Sequence, residues 1–304
     1  MQMTIHCPVL YERAEGDARI RGMIIQLLMR TIEHPWILPM DGRLQDAVVA
    51  SIKRWPDQAD QERARSLLKR LNDSNHFVKV VMPENPRDPW KRAHQIACRD
   101  SAYWLVDLQE HETRGDFGAD SSSAKWLDDL LLMGLESPWE TGKVLPPRGT
   151  NNKRWSRAEF SSLVWQPIFR WTHTLSIYDR NIVKHWPQRN YLDNLQWILE
   201  EFAEWQPGGE VTIPFVNNAK QSSKDIVKRW CCNQAERLGI VIKTSGTIDG
   251  YFHDRYFQTQ QGWWRSHRGV DLCSSGQLLR ADVELTWQAY APPGLKGATK
   301  KRPR

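Results

Sequence analysis

The stretch YLDNLQWILEEFAEWQPGGEVTIPFV, residues 191–216, carries the fold class. Its first fifteen residues place Leu192, Leu195, Leu199 and Phe202 at helical spacing, the apolar face of an amphipathic helix, with Asn190 as a candidate N-cap. Gly208-Gly209 ends that helix, and EVTIPFV then reads as a strand in which Pro214 points to a sheet edge or a bulge. Upstream, the β-branched and aromatic run in THTLSIYDRNI predicts a strand over 174–180. Before it, RAEFSSLVWQPIFRW (157–171) sets Phe160, Leu163, Val164 and Ile168 at helical spacing, and Pro167 must kink that helix or sit in its first turn. Downstream, Ser222-x-x-Asp225 approximates a capping box that opens a helix with Ile226, Val227, Trp230 and Leu238 inward and Gly239 at its close. Strands follow over 240–243 and 251–259. Strand, helix, strand, helix, strand predicts right-handed crossovers and a mixed, largely parallel sheet with flanking helices, an α/β domain over 157–290.

The first 140 residues read as a mixed, mostly helical α/β region. Ile20, Met23, Ile24, Leu27 and Leu28 form one stripe, and Ala64, Leu67, Leu68 and Leu71 another. Short β-like runs lie at 76–82 and 102–108, and a polar loop (EHETRGDFGADSSS) spans 110–123. A further helix is expected around Trp126, Leu127, Leu130 and Leu131. Pro, Gly and Asn in 136–155 break both helix and strand, so 141–156 is assigned as a linker and 291–304 as a mobile basic tail.

The 304 residues suffice for two units, and 42 Lys+Arg against 36 Asp+Glu leave a net charge of +6. No stretch of eighteen apolar residues occurs, which predicts a soluble, cytoplasmic chain without a membrane span. Five cysteines (Cys7, Cys98, Cys231, Cys232, Cys273) without C-x-x-C spacing predict reduced thiols and no structural zinc. Neither a P-loop, G-x-G-x-x-G, H-E-x-x-H nor a serine nucleophile elbow is present, so no cofactor or metal is expected. Sixteen tryptophans, many beside Arg or Lys, can stack on bases or fill cores.

The chemistry concentrates in YFHDRYFQTQQGWWRSHRGVDL, residues 251–272. On a strand His253 and Arg255 share one face about 7 Å apart, with Asp254 opposite. An imidazole beside a permanent cation suits an anion, phosphate above all. The alternative is structural: Arg255 pairs with Asp179 or Asp254, and His253 is a satisfied core histidine.

The order of elements over about 157–290, with IYDRNI, the helix after it and HDRYF followed by RGVDL, resembles a single phospholipase-D-like domain, closest to prokaryotic variants and to the C-terminal domain of MIT-domain proteins. In catalytic members of that superfamily a His-x-Lys motif supplies a histidine that attacks phosphorus and a lysine that binds phosphoryl oxygens. The resemblance makes His253 the nucleophile and puts Arg255 in the lysine's place. Gln260 stands where an aspartate is usual, with Asp271 as a substitute, and Ser266 and Gly269 fall in the polar segment. Arg265, Arg268, Asp179 and Arg180 join Ser266 as candidate substrate contacts. Only one such motif is present, so a second histidine must come from a homodimer or from His173, His185 or His267. The expectation is a phosphodiester-engaging protein, nucleic-acid binding and capable of metal-independent cleavage, in a setting of antiviral defence or mobile elements. The alternative is a phosphate, nucleotide or lipid-headgroup binding module, or a protein-interaction module whose N-terminal region recruits a partner.

Overall fold

The computed structural model describes residues 2–6, 8–33, 36–40, 42–79, 103–106, 124–126, 155–184, 186, 188–248, 254–274, 278–280, 283–288 and 291–292. The chain forms two compact units, Met1–Glu140 and Thr141–Arg304. The expected loop at 110–123, most of the linker and the basic tail beyond 292 lie outside the described residues.

In the first unit, β1 (Gln2–His6), β2 (Trp36–Met40), β3 (Phe77–Lys79), β4 (Tyr103–Val106) and β5 (Ala124–Trp126) form one sheet in the order β3-β2-β1-β4-β5, every pairing parallel. Its helices are α1 (Pro8–Arg13), α2 (Ala18–Glu33), α3 (Gly42–Lys53) and α4 (Gln58–Asp73). The predicted stripes are the buried faces: Ile20, Ile24, Leu27 and Leu28 on α2 pack with Ala64, Leu67, Leu68 and Leu71 on α4. Asp57 caps α4 by accepting from the Asp60 N–H at 2.9 Å. Arg21 is buried because its Nη1 donates to the Ala14 carbonyl at 2.8 Å and its Nε reaches Asp60 at 3.2 Å. Among the described residues of this unit, a parallel sheet thus stands beside the helices that the stripes marked. Strands of three to five residues in a parallel sheet show no clean period of two, so periodicity understates them. Trp126 ends β5 and does not open a helix; 127–131 lie outside the described residues.

The second unit opens with α5, which runs as Arg157–Phe160, passes through a π-helical turn at Ser161–Trp165 and ends as Gln166–Phe169. Ser156 and Glu159 form a reciprocal capping box. The π turn is the answer to Pro167: proline has no N–H to donate and its ring collides with the fourth carbonyl back, so the chain inserts a residue and Gln166 bonds Ser161. Phe160, Val164 and Ile168 are buried as their spacing predicted.

Beyond α5 come β6 (Thr174–Tyr178), α6 (Asn181–Lys184), α7 (Arg189–Trp205), β7 (Glu210–Thr212), β8 (Phe215–Val216), α8 (Gln221–Leu238), β9 (Val241–Lys243), β10 (Thr247–Ile248), β11 (Arg255–Gln258), β12 (Trp263–Ser266) and β13 (Leu285–Gln288). The main sheet has the order β13-β12-β11-β6-β7-β9. β6, β7 and β9 are parallel, whereas β11, β12 and β13 join antiparallel. The mixed α/β class with flanking helices is as expected, but the parallel character stops at β6: β11 runs antiparallel to it, and the tight 259–262 turn can join β11 only to an antiparallel neighbour, β12.

Several local readings shift. Pro214 divides EVTIPFV: β7 stays central between β6 and β9, and β8 leaves to pair with β10 in a separate ribbon. Asn190 lies inside the first turn of α7, whose N-cap position is Gln188. The N-cap position of α8 is Lys220, so Ser222 and Asp225 make no capping box. Its inward stripe consequently runs through Val227 and Cys231, leaving Ile226 half exposed. Gly239 closes α8 in the left-handed region at φ +65°, as a C-terminal glycine does. The last two linker residues belong to this unit, since Ser156 bridges Leu278 and the Trp155 carbonyl accepts from Leu279 at 2.8 Å.

Candidate functional site

One level across three strands holds most of the predicted residues. Pairing of Tyr256 with Tyr178 and of Arg255 with Ser266 sets Arg255 in register between the end of β6, where Asp179 follows, and Ser266 on β12. Asp179 is 2 % exposed. Its Oδ1 accepts from the Asn181 N–H at 2.8 Å and its Oδ2 from the Val270 N–H at 3.0 Å. The Arg255 Nε approaches Oδ1 at 3.8 Å, and Nη1 donates to the His267 carbonyl at 2.8 Å. Nε is buried and beyond hydrogen-bonding reach of an acceptor among the described residues. Ser266 is buried and donates to the Gly269 carbonyl at 3.1 Å, tightening the 266–270 turn.

Gly269 makes this possible. It sits at φ +61°, and a Cβ there would overlap Asp179 Oδ2 and lie 2.5 Å from Arg255 Cδ. Only a residue without a side chain lets the turn fold onto the carboxylate and present the Val270 N–H.

The structural alternative for Arg255 is thus realised in part: it pairs with Asp179, while Asp254 pairs with Arg265 at 3.0 Å on the exposed face. Arg268 lies half buried in the turn, and its carbonyl accepts from the Asp271 N–H at 3.2 Å. Asp271 pairs with Arg280 at 3.1 Å. Gln260 and His173 are at the opposite end of the sheet, where the Gln260 Oε1 accepts from the His173 N–H at 2.7 Å, so neither reaches Arg255. His267, exposed beside Arg255, is the described histidine nearest this level. His253 and His185 lie outside the described residues.

Burial raises the Asp179 carboxyl above its ordinary 3.8, against the lowering effect of the Val270 and Asn181 N–H groups and Arg255. Tyr191 is raised too, first by burial and then by the neighbouring Asp179 charge. A raised folded value means that Asp179 stabilises the fold most when protonated, and that this contribution is lost as pH rises through that value. The unfolding free energy of the native chain relative to Asp179→Asn should therefore fall as pH climbs above the ordinary carboxylate value, in urea titrations at a series of pH values. A gap that widens with pH would mean that Arg255 dominates over burial.

A cleft of about 500 Å³ opens at the same end of β6, lined by Arg180, Val183, Lys184, Val216, Asn218, Ala219, Lys220 and Ser223. It lies past the ends of β6 and β8 and against the first turn of α8. Three of its residues are cationic and none is acidic. Lys184, Asn218 and Lys220 are exposed, and the first turn of α8 adds N–H groups without intrahelical acceptors. Arg180 was among the candidate contacts; Lys184, Lys220, Asn218 and Ser223 were not. The signal for Lys220 and Ser223 was present in KQSSKDIVKR (220–229), but nothing in it shows which bases meet the loop after β6.

No group of three or more His, Cys, Asp or Glu among the described residues is placed to hold a metal ion. Cys231 and Cys273 are buried free thiols, and Cys232 is exposed. Among the described residues no helix is long and apolar enough to cross a membrane. No family model matches the chain, and no curated protein matches it.

Proposed function

We propose that the second unit engages the phosphodiester backbone of a nucleic acid at the carboxyl end of β6. The observation that supports this most is the cleft, with Arg180, Lys184 and Lys220 and no carboxylate among its lining residues. Like charges gathered around an open space are disfavoured unless an anion or solvent sits among them, and a polyphosphate backbone supplies charge at a matching scale. The helix terminus adds N–H donors of the kind that oxyanions accept. Phospholipase-D-like cleavage is the catalytic form of this proposal: His253 attacks phosphorus, Arg255 steadies the phosphoryl oxygens, and a second imidazole, His267 or one from a second copy of the chain, protonates the leaving oxygen.

Binding without turnover is the second reading, favoured by one observation. Arg255 already spends Nη1 on the His267 carbonyl and sits beside Asp179, so its guanidinium is held as part of the wall. Purified protein incubated with DNA and RNA in EDTA separates the two. Cutting that is lost in His253→Ala supports catalysis, and cutting that persists in that variant removes His253 from the mechanism. Binding itself should weaken with salt, and Lys184→Glu with Lys220→Glu should flatten the log–log salt slope by roughly 1.4 for a single strand, two contacts at 0.7 each. A slope unchanged by both substitutions would overturn the assignment of phosphate to this cleft.

A further inference from the structure

Beside the cleft, Trp186 and Trp230 meet edge to face, ring centroids 5.1 Å apart at 71°, and both remain partly exposed. In a chain whose Trp55, Trp165 and Trp264 are fully buried, a partly exposed pair needs its own account. Resting on the phosphate reading of the cleft, we infer that it takes a single-stranded nucleic acid, one of whose bases stacks on the Trp186–Trp230 pair.

Placement is the first argument. Trp186 follows the cleft residue Lys184 by two positions, and Trp230 follows the cleft residue Ser223 by seven on α8. Seven residues are two helical turns, so Trp230 and Ser223 share a stripe about 10 Å apart. Side chains on a helix lean toward its N-terminus, which brings the Trp230 indole back toward the cleft. Phosphate charge and base stacking are thereby offered within one or two nucleotides of each other.

Chemistry is the second. An edge-to-face pair leaves a ring face that its partner does not cover. A base in a duplex is already stacked on both sides and cannot use that face, whereas an unpaired base can, whatever its identity. Lys224, Lys228 and Arg229 add positive charge to the same helix against Asp225 alone in that turn-and-a-half, which favours a polyanion over a neutral aromatic ligand. A free phosphate or a lipid headgroup would use the cations and leave the indoles idle.

The test is fluorescence anisotropy with the full chain, using labelled oligothymidylate and oligouridylate, a duplex of equal length, and vesicles of anionic phospholipid. Single strands should bind more tightly than duplex, and Trp186→Leu should raise the single-strand dissociation constant about 5- to 150-fold while leaving duplex binding within about twofold, the range that loss of one stacked base produces. Trp230→Phe, which keeps an aromatic ring in its half-buried position, should retain most of the affinity, and circular dichroism of each variant establishes that it folds. Equal binding of duplex and single strand, or a Trp186→Leu loss shared by both, overturns the stacking inference but leaves the phosphate reading standing. Binding of vesicles alone, or of neither nucleic acid, overturns both.

Discussion

Replacing Gly269 by valine should unfold the second unit or nearly so. The left-handed backbone costs a β-branched residue about 1–2 kcal/mol. The new Cβ must also displace the Asp179 carboxylate and the Arg255 side chain, with Asp179 Cγ only 2.8 Å away. Moving that carboxyl group breaks its bonds to the Val270 and Asn181 N–H groups and leaves buried polar atoms unmet, a further ~1–3 kcal/mol. A total of roughly 2–5 kcal/mol is a large share of a domain's stability. Urea unfolding of the native chain, Gly269→Ala and Gly269→Val should show a graded loss, with valine worse. Combining Gly269→Ala with Asp179→Ala should be markedly less than additive, because the second change removes the group that the first collides with. Additive losses would mean that the cost lies in the backbone alone and that the turn does not bear on Asp179.

The second large effect is expected at Trp165. Its ring is fully buried, stacks on Phe169 at 4.9 Å and meets Phe160, Trp197 and Phe257 edge-on. That set ties α5, α7 and β11 into one core. Trp165→Ala should cost about 3–5 kcal/mol, the usual penalty for a large aromatic cavity. Trp165→Phe should recover most of it, and more readily than usual, because the indole N–H has no acceptor among the described residues and phenylalanine leaves no donor unmet. Thermal melts of the three proteins give the order native, Phe, Ala. A phenylalanine variant as unstable as alanine would point to a polar role for the indole instead.

These two sites also bear on what the tryptophan richness means. Trp55 and Trp264 stand beside an arginine in the sequence and Trp165 and Trp186 do not, yet only burial sorts them: Trp55, Trp165 and Trp264 fill cores, and Trp186 stands partly exposed at a cleft.

The helices were legible where one face is apolar over four or more turns. The stripes of α2, α4 and α7 follow from 3.6-residue periodicity and hydrophobic burial, which act within ten or fifteen residues. The need for Pro167 to disturb its helix was legible for the same reason, since proline's missing donor is a local fact. Of the five parallel strands of the first unit, β3 and β4 fall within the β-like runs at 76–82 and 102–108, whereas β1, β2 and β5, three to five residues long, are too short to show a period. The course of β8 was hidden as well, because whether a proline bends a strand or divides it depends on which neighbours compete for its hydrogen bonds.

At the candidate site the residue types were visible and their partners were not. Sequence alone marked Asp179, Arg255, Ser266 and Gly269 as one group, and a strand period put His253 and Arg255 on one face. That Arg255 turns to Asp179 and Asp254 to Arg265 required the register of β11 against β6 and β12, fixed by pairings across 78 and 9 residues between Tyr256 and Tyr178 and between Tyr256 and Arg265. The basic cleft is more distant still: Lys184 and Lys220 are 36 positions apart and meet because the β6 and β8 loops end at one edge. Local chemistry is written in local sequence, but charge complementarity acts through space, and only the folded chain states which charges share it.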